Sequence, residues 1–349
     1  MKNGLVKLAV ISLMFGSSLA HSSAIPAQKP GFTLNFTAFY LQPSADNLTY
    51  GIYTTPLPLP APNWQQKMVN PGYTGAFDLG VQYNLPSEND NVKLDWFYFD
   101  SKDSASGGSS TNTSIGPVYY YGPTQQFILN TRADSTVKFN VDGGNLVAGH
   151  LFNLTNRIQF EPFAGLAVSY LKEDITSNFY GTDPVYGPYR HTVNGKSSFI
   201  GAGPRLGFDA KFLVTDHFSI LTEIAGDILV GTLNYRTNFN SVTAYTADAI
   251  HNSKPVDTSM ANQDLTRAIP MLGTKIGLQY QLPLNNSKSE FTFQAGYMYA
   301  AYFNAINQVR PGTLVPGAWE AGSVAIVTQV QQQSKLDLKG PYLSMSWKF

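Results

Sequence analysis

Asp78, Lys93, Asp95, Glu161, Arg205, Asp209, Lys211, Glu223, Asp227 and Lys275 all fall on the polar side of segments in which polar and apolar residues largely alternate. Six acids and four bases on one face can line a wet conduit, or neutralise one another as ion pairs in a narrow one. Neither role is catalysis. The five histidines (His21, His150, His191, His217 and His251) are scattered and show no metal-ligand spacing such as H-E-x-x-H. His150 alone lies inside a regularly alternating segment, and there is no G-x-S-x-G elbow. Gly201-x-Gly203 followed by Gly207 superficially matches a dinucleotide fingerprint, but that motif needs a strand turning into a helix. Here the glycines sit within a strand pattern with Pro204 among them, so they read as room for bulky neighbours or a kink. The Asn-x-Ser/Thr triplets at Asn35, Asn47, Asn112, Asn153 and Asn286 follow from a composition rich in Asn, Ser and Thr. The chain is read as a non-enzyme with no catalytic residue, metal site or cofactor.

The elements that position these charges are strands. Phe32, Leu34, Phe36, Ala38 and Tyr40 alternate with Thr33, Asn35 and Thr37. The same period of two recurs at 73–84, 92–98, 158–170, 200–212, 220–230, 272–280, 291–299 and 343–349. Side chains on a strand point to opposite faces, so each segment has one apolar and one polar face. A tenth segment, about 135–152, starts with Val137, Phe139 and Val141, then changes phase at Gly143-Gly144, where a bulge is expected. Phe39, Phe97, Phe99, Phe163, Leu221 and Leu229 break the pattern by falling on the polar side. A rim position, where both faces accept aromatics, is expected for them.

The connections alternate too. They run long (about 42–72), short (85–91), long (102–134), short (153–156), long (173–196), short (215–217), long (236–267), short (283–289) and long (304–334). In an up-and-down barrel every second connection lies on the same side. One side therefore carries large loops and the other tight turns, the asymmetry of outer-membrane barrels. Pro86-Ser87-Glu88-Asn89-Asp90 and Asn285-Asn286-Ser287 are turn chemistry on the short side. A secreted sandwich also alternates, but its strands are shorter than these, which reach the ~9–11 residues a tilted membrane strand needs. Tyr40, Tyr73, Tyr83, Tyr98, Tyr170, Tyr280 and Trp347 end apolar faces, as interfacial girdles require. The last strand steps Leu343, Met345, Trp347, Phe349; a terminal aromatic of this kind is read as the insertion signal for the barrel-assembly machinery.

Composition agrees. The 349 residues carry 23 basic and 23 acidic side chains, so no electrostatic case exists for nucleic acid. Charged residues make up 13%, about half of the roughly 25% usual in soluble domains, as expected if much of the surface faces lipid. There is no cysteine, which excludes disulfides and thiolate chemistry. Lys2, Lys7, an apolar run from Leu8 to Phe15 and Ser18-Leu19-Ala20 form a secretory signal peptide, residues 1–20, with a second possible cut after residue 24. The mature chain, 25–349, is expected to be one transmembrane antiparallel up-and-down β-barrel of about 10 strands, with 8, 12 or 14 as alternatives. If Val214 faces Phe218 across the tight turn, Arg205 falls opposite Asp227 and Asp209 opposite Glu223.

Phe199-Ile200-Gly201-Ala202-Gly203-Pro204-Arg205-Leu206-Gly207-Phe208-Asp209, followed by Phe218-Ser219-Ile220-Leu221, resembles a core motif of the Legionella-type major outer membrane protein family. Phe163-Ala164-Gly165-Leu166, Lys93-Leu94-Asp95-Trp96 and Leu338-Lys339-Gly340-Pro341-Tyr342-Leu343 are similar to other parts of it. The resemblance spans most of the mature chain in short pieces. It implies a pore-forming barrel of the bacterial outer membrane that is also exposed as a surface antigen or adhesin. It supplies no catalytic residue. Two functions follow as expectations. One is a porin-like pore for passive diffusion of small hydrophilic solutes, with weak ion preference given the charge balance. The other is a surface scaffold whose loops, rich in tyrosine at Tyr119, Tyr120, Tyr121, Tyr180, Tyr186 and Tyr189, meet host surface molecules. Outer-membrane lipids surround it in either case, and a homo-oligomer is open.

Overall fold

The computed structural model describes residues 30–55, 63–86, 89–110, 112–118, 130–183, 187–243, 256–284, 289–316 and 324–349. The signal peptide, Tyr119, Tyr120, Tyr121, Tyr186 and the Asn285-Asn286-Ser287 turn lie outside them. Ten strands close into one antiparallel ring: β1 (Gly31–Ala45), β4 (Thr74–Asn84), β5 (Asp90–Gly108), β7 (Asn130–His150), β9 (Ile158–Asp183), β10 (Gly187–Leu213), β11 (Phe218–Thr243), β12 (Val256–Leu284), β13 (Ser289–Pro316) and β14 (Val324–Lys348). Pairing of β14 with β1 shuts the seam, reinforced at its end by reciprocal backbone bonds between Phe32 and Phe349 of 3.2 and 3.0 Å. Closure is obligatory in lipid, where no water satisfies an open edge. β2 (Thr49–Thr55), β3 (Asn63–Met68) and β6 (Ser114–Pro117) form a separate three-stranded sheet, and β8 (Phe152–Asn153) adds briefly to β9.

The register sets the bore. Opposite partners lead from Thr33 through Gln82, Lys93, Val147, Gly165, Arg205, Asp227, Met271, Tyr302 and Leu336 back to β1 at Ala45. One circuit advances twelve residues along β1, from 33 to 45, which is the shear of the barrel. Ten strands with that shear tilt by roughly 40° and place their backbones about 10 Å from the axis. A Phe or Arg reaches roughly 6 Å inward, so large inward residues narrow the bore to a radius of about 4 Å.

Outside, the apolar faces form a continuous band. Phe32 to Tyr40 on β1 and Tyr83 to Tyr73 on and before β4 span roughly 20–25 Å along the axis, the height of a hydrocarbon layer. Aromatics stack around its lower margin: Phe32 on Tyr83 at 4.7 Å, Trp347 on Phe349 at 4.9 Å and Phe291 on Trp347 at 5.9 Å. Tyr40 stacks on Tyr73 at 5.3 Å at the upper margin.

Above the band the polarity inverts, which corrects three expectations. First, most of the long connections are strand: β9 and β10 stay paired up to Asp183 and Gly187. They still lie on the side opposite the tight turns. Second, Gly143-Gly144 is not a bulge, because β7 keeps unbroken register with β5 and β9 through it. The phase changes because the apolar side moves from outward (Leu146) to inward (Phe139, Val141) at that level. The same switch separates Val168 from Leu171 and Ile200 from Phe199. Third, Phe39, Phe99, Phe163 and Leu229 are buried within the barrel rather than set at a rim, and Phe97 packs against the same core. Small inward residues mark the switch: Gly143, Ser169, Gly201 and Gly231 are successive partners across β7, β9, β10 and β11.

The glycines of the β10 motif make room, as the strand reading expected. A Cβ on Gly201 would collide with the Phe199 ring, and one on Gly207 with the Phe163 ring and the Ile224 carbonyl. Gly207→Val is therefore expected to cut the yield of correctly closed barrel several-fold, read as the heat-modifiable fraction in electrophoresis after refolding. A normal yield would show that Phe163 can move aside.

Candidate functional site: the barrel lumen

All ten charged side chains singled out by the alternation project to the inner side of the ring. The β10–β11 turn closes with Val214 N donating to Phe218 O at 2.9 Å, which sets Arg205 opposite Asp227 and Asp209 opposite Glu223. Arg205 Nη1 donates to both Asp227 oxygens, at 2.9 and 3.0 Å. Arg205 Nη2 lies 3.7 Å from Glu223, which Lys275 on β12 contacts at 3.1 Å. Asp209 does not depend on its facing residue for neutralisation: Lys93 reaches from β5 past β7 to hold Glu161 and past β9 to hold Asp209, each at 2.7 Å. These pairs form a charged belt at bilayer height, since the neighbouring outward residues Leu94, Leu206, Ile224 and Ile276 belong to the lipid-facing band.

Phe163 explains itself here. Its ring stands 6.0 Å from both the Lys93 ammonium and the Arg205 guanidinium, at the outer limit of cation–π attraction, and separates the two cations. Asp78, Asp95 and Lys211 are partly buried inside the lumen, and among the described residues none has an ion pair within 4.0 Å. Carboxylates without a close cation are costly to bury unless water reaches them or they carry a proton.

The upper lumen is closed. Phe99, Phe139, Phe179, Phe199, Phe239, Leu41, Leu171, Leu229, Leu233 and Ile269 are all fully buried there. Two further elements fill the mouth. Leu48 and Tyr50, leading into the small sheet, and Ile115 on β6 are buried in the same core, so that sheet is a cap. β13 abandons the wall: its pairing with β12 stops at Met271–Tyr302 although both strands continue. Its register with β14 also breaks between Tyr302 and Ile306, next to Asn304 at φ 57°. Asparagine tolerates that left-handed conformation better than most residues. Beyond the break β13 crosses to the inner faces of β9, β10 and β11, where Asn307 N donates to Ser197 Oγ at 3.1 Å. A small cavity remains between cap, wall and hairpin, lined by Asn47, Tyr50, Ile175, Val193, Gln308 and Arg310 among others.

A model of the Legionella pneumophila major outer membrane protein precursor family matches residues 24–349. The chain belongs to that family. It is a bacterial outer-membrane β-barrel protein. No curated protein sequence matches it significantly. Solved structures similar to it include the outer membrane protease OmpT from Escherichia coli, at 6% identity and TM-score 0.39, covering 94% of this chain and 99% of that one. A Pseudomonas aeruginosa FadL homologue matches at 8% and 0.26 over 92% and 90% of the two chains. The Pseudomonas putida toluene transporter TodX matches at 6% and 0.28 over 91% and 89%. Likenesses of that size carry no functional information.

In this major outer membrane protein family member, His150 sits at the lower end of β7, with Nδ1 2.5 Å from Asp90 Oδ1 and its ring 4.5 Å from Phe152. The pair links neighbouring strands beside the tight turns. Tyr189, expected on a contact surface, is buried with its ring 4.8 Å from His191. Sequence reasoning missed Glu173, Asn47 and Gln308, which meet inside the closed mouth. Glu173 belonged to a segment read as loop; the signal that could have placed it is the odd-numbered phase of Leu171, Ile175 and Phe179.

Proposed function

We propose that this outer-membrane barrel is a gated pore for small hydrophilic solutes, closed at its extracellular mouth in the state described. The observation that carries this reading is the division of the lumen along its axis. A charged compartment at bilayer height lies beneath an apolar plug that is partly built from a hairpin leaving the wall at a defined break. A barrel needing only to be solid has little use for Asp78, Asp95 and Lys211 left without a close ion pair in its interior. Six acids against four bases give weak ion preference. Asn307 supports a plug able to open: both its side-chain amide atoms are buried and have no hydrogen-bond partner among the described residues, a cost of about 1–3 kcal/mol per group that hydration relieves. We read the His150–Asp90 pair as structural and the protein as non-catalytic. Planar-bilayer recording of the purified folded barrel is expected to show intermittent openings; a silent membrane with both wild type and a plug-deleted form refutes the pore.

A second reading, a binding scaffold for host surface molecules, is favoured by one feature. Trp64 and Met68 stand exposed on β3 of the cap, at 68% and 52%. Replacing both by serine should abolish host-surface adhesion if the cap is the contact.

The insertion signal remains our reading of Trp347 and Phe349. Deleting Phe349 removes both backbone bonds to Phe32 and the last girdle aromatic. The inserted fraction in cells is expected to fall at least several-fold. Unchanged insertion would assign the signal elsewhere.

A further inference from the structure

We propose that Glu173 is the latch of the mouth: one carboxyl group, fixed on the barrel wall, holds the cap through Asn47 and the hairpin through Gln308, and lets both go when it ionises. The inference rests on the gated-pore reading and names the regulation of that same gate. Glu173 is 1% exposed on the inner face of β9. Asn47, between β1 and the cap sheet, donates from Nδ2 to Glu173 Oε1 at 2.7 Å, itself buried. The Gln308 amide, on the inward part of β13, approaches the same carboxyl more loosely, leaving Oε2 outside strict hydrogen-bond geometry. Phe139 and Ser197 are its partners on β7 and β10. The Asn307 N to Ser197 Oγ bond joins hairpin to wall and the Tyr53 hydroxyl to Gly108 carbonyl bond joins cap to wall, whereas this carboxyl touches wall, cap and hairpin together.

Few charges surround it among the described residues. Asp174, the next residue on β9, faces outward and pairs with Lys172 at 2.8 Å. Lys138 on β7 and Lys196 on β10 are exposed on the outer surface, as is Asp46 before the cap. Arg310 lines the neighbouring cavity on β13, as does Tyr50 of the cap. His191, six residues above Ser197 on β10, is pushed down to about 4 by burial, so exposing it would favour opening as pH falls through 6.5, opposite in sign to Glu173, and the measurement is made in a His191→Gln background. Burial pushes Glu173 up to about 7 and outweighs the Asn47 and Gln308 amides, which both favour the ionised carboxylate, with Asp174 adding to the rise. Above the lipid band, an opened mouth returns it to water and to its ordinary 4.5. The closed mouth thus binds the proton more tightly. Closure is complete in strength below about 4.5, weakens as pH rises and levels off above about 7. Between pH 5.5 and 8.5 the opening equilibrium rises about 30-fold.

The chain has no cysteine, so a single reporter can be introduced. Val309→Cys on the buried face of the hairpin reacts with an external thiol reagent only when the mouth opens, and Val330→Cys, exposed on β14, corrects for thiol ionisation. The corrected labelling rate should rise about 30-fold from pH 5.5 to 8.5. Adding Glu173→Gln, which keeps a carbonyl for Asn47 and cannot ionise, should hold it low and flat. A flat response with Glu173 present, or a preserved rise in Glu173→Gln, overturns the latch. Conductance separates the two ideas. If labelling follows pH but the plug-deleted barrel passes no current, the latch stands and the pore reading falls.

Discussion

Excising residues 306–334 and joining β13 to β14 through an Asn-Gly turn is expected to raise the open probability of the barrel at least tenfold. Removing the cap segment 47–69 as well should leave it conducting continuously. The wall backbone stands about 10 Å from the axis and its side chains occupy roughly 6 Å of that, so an unplugged bore keeps a radius near 4 Å. That passes water, ions and small polar solutes. Among the described residues of the hairpin Ile306 and Val309 are buried, each contributing roughly 1.5–3 kcal/mol to holding it. Asn307, buried beside them with amide atoms unpartnered among the described residues, takes back part of that. A few kcal/mol is the range in which a minor open state is populated and detectable. Single-channel recording at constant voltage reads the result directly. A doubly deleted barrel that folds, shown by its heat-modifiable mobility, and still passes no current would leave the scaffold reading in possession.

Arg205→Met is expected to destabilise the folded barrel by about 3–5 kcal/mol, because it strands a buried carboxylate while changing little volume. Asp227 is 5% exposed and takes both of its close contacts from one guanidinium nitrogen. Arg205 also keeps a longer contact with Glu223, so Asp227→Asn should cost less than the reverse deletion. Replacing both partners, Arg205→Met with Asp227→Leu, should recover much of the loss, since it is the orphaned charge and not the missing pair that is expensive. The urea midpoint of folding into lipid vesicles measures all three variants. Equal midpoints for wild type and Arg205→Met would mean that water reaches Asp227 and that the belt is solvated throughout.

Much of the lumen was legible because a strand obeys a local rule. Leu206, Phe208 and Phe212 fix which way Arg205, Asp209 and Lys211 point, and a four-residue turn at Val214–Phe218 fixes what faces them. No local rule indicates that Lys93 passes over β7 and β9 to reach Asp209, because that contact depends on the shear. Nor does alternation say whether an apolar face meets lipid or a plug. Leu171, Ile175 and Phe179 keep the same period as Leu166 and Val168 on the opposite face, and only the height of the bilayer separates the two cases. Loop-like composition hid the extension further: Thr176, Asn178 and Asn194 are polar because the outer face of the upper barrel stands in water.

The sequence by itself indicated about ten membrane strands, their two faces, the side of the tight turns and the ten charges kept from lipid; the closed ring fixed the number at ten. Each follows from side chains alternating along a strand and from the cost of charge in hydrocarbon. Tertiary structure decided the shear of twelve, the charged belt, and the closure of the mouth by a cap and by the β13–β14 hairpin, with Glu173 between them. Those depend on residues far apart in the chain, Asn47 and Glu173 or Lys93 and Asp209, meeting inside a bore whose width exists only once the ring has closed.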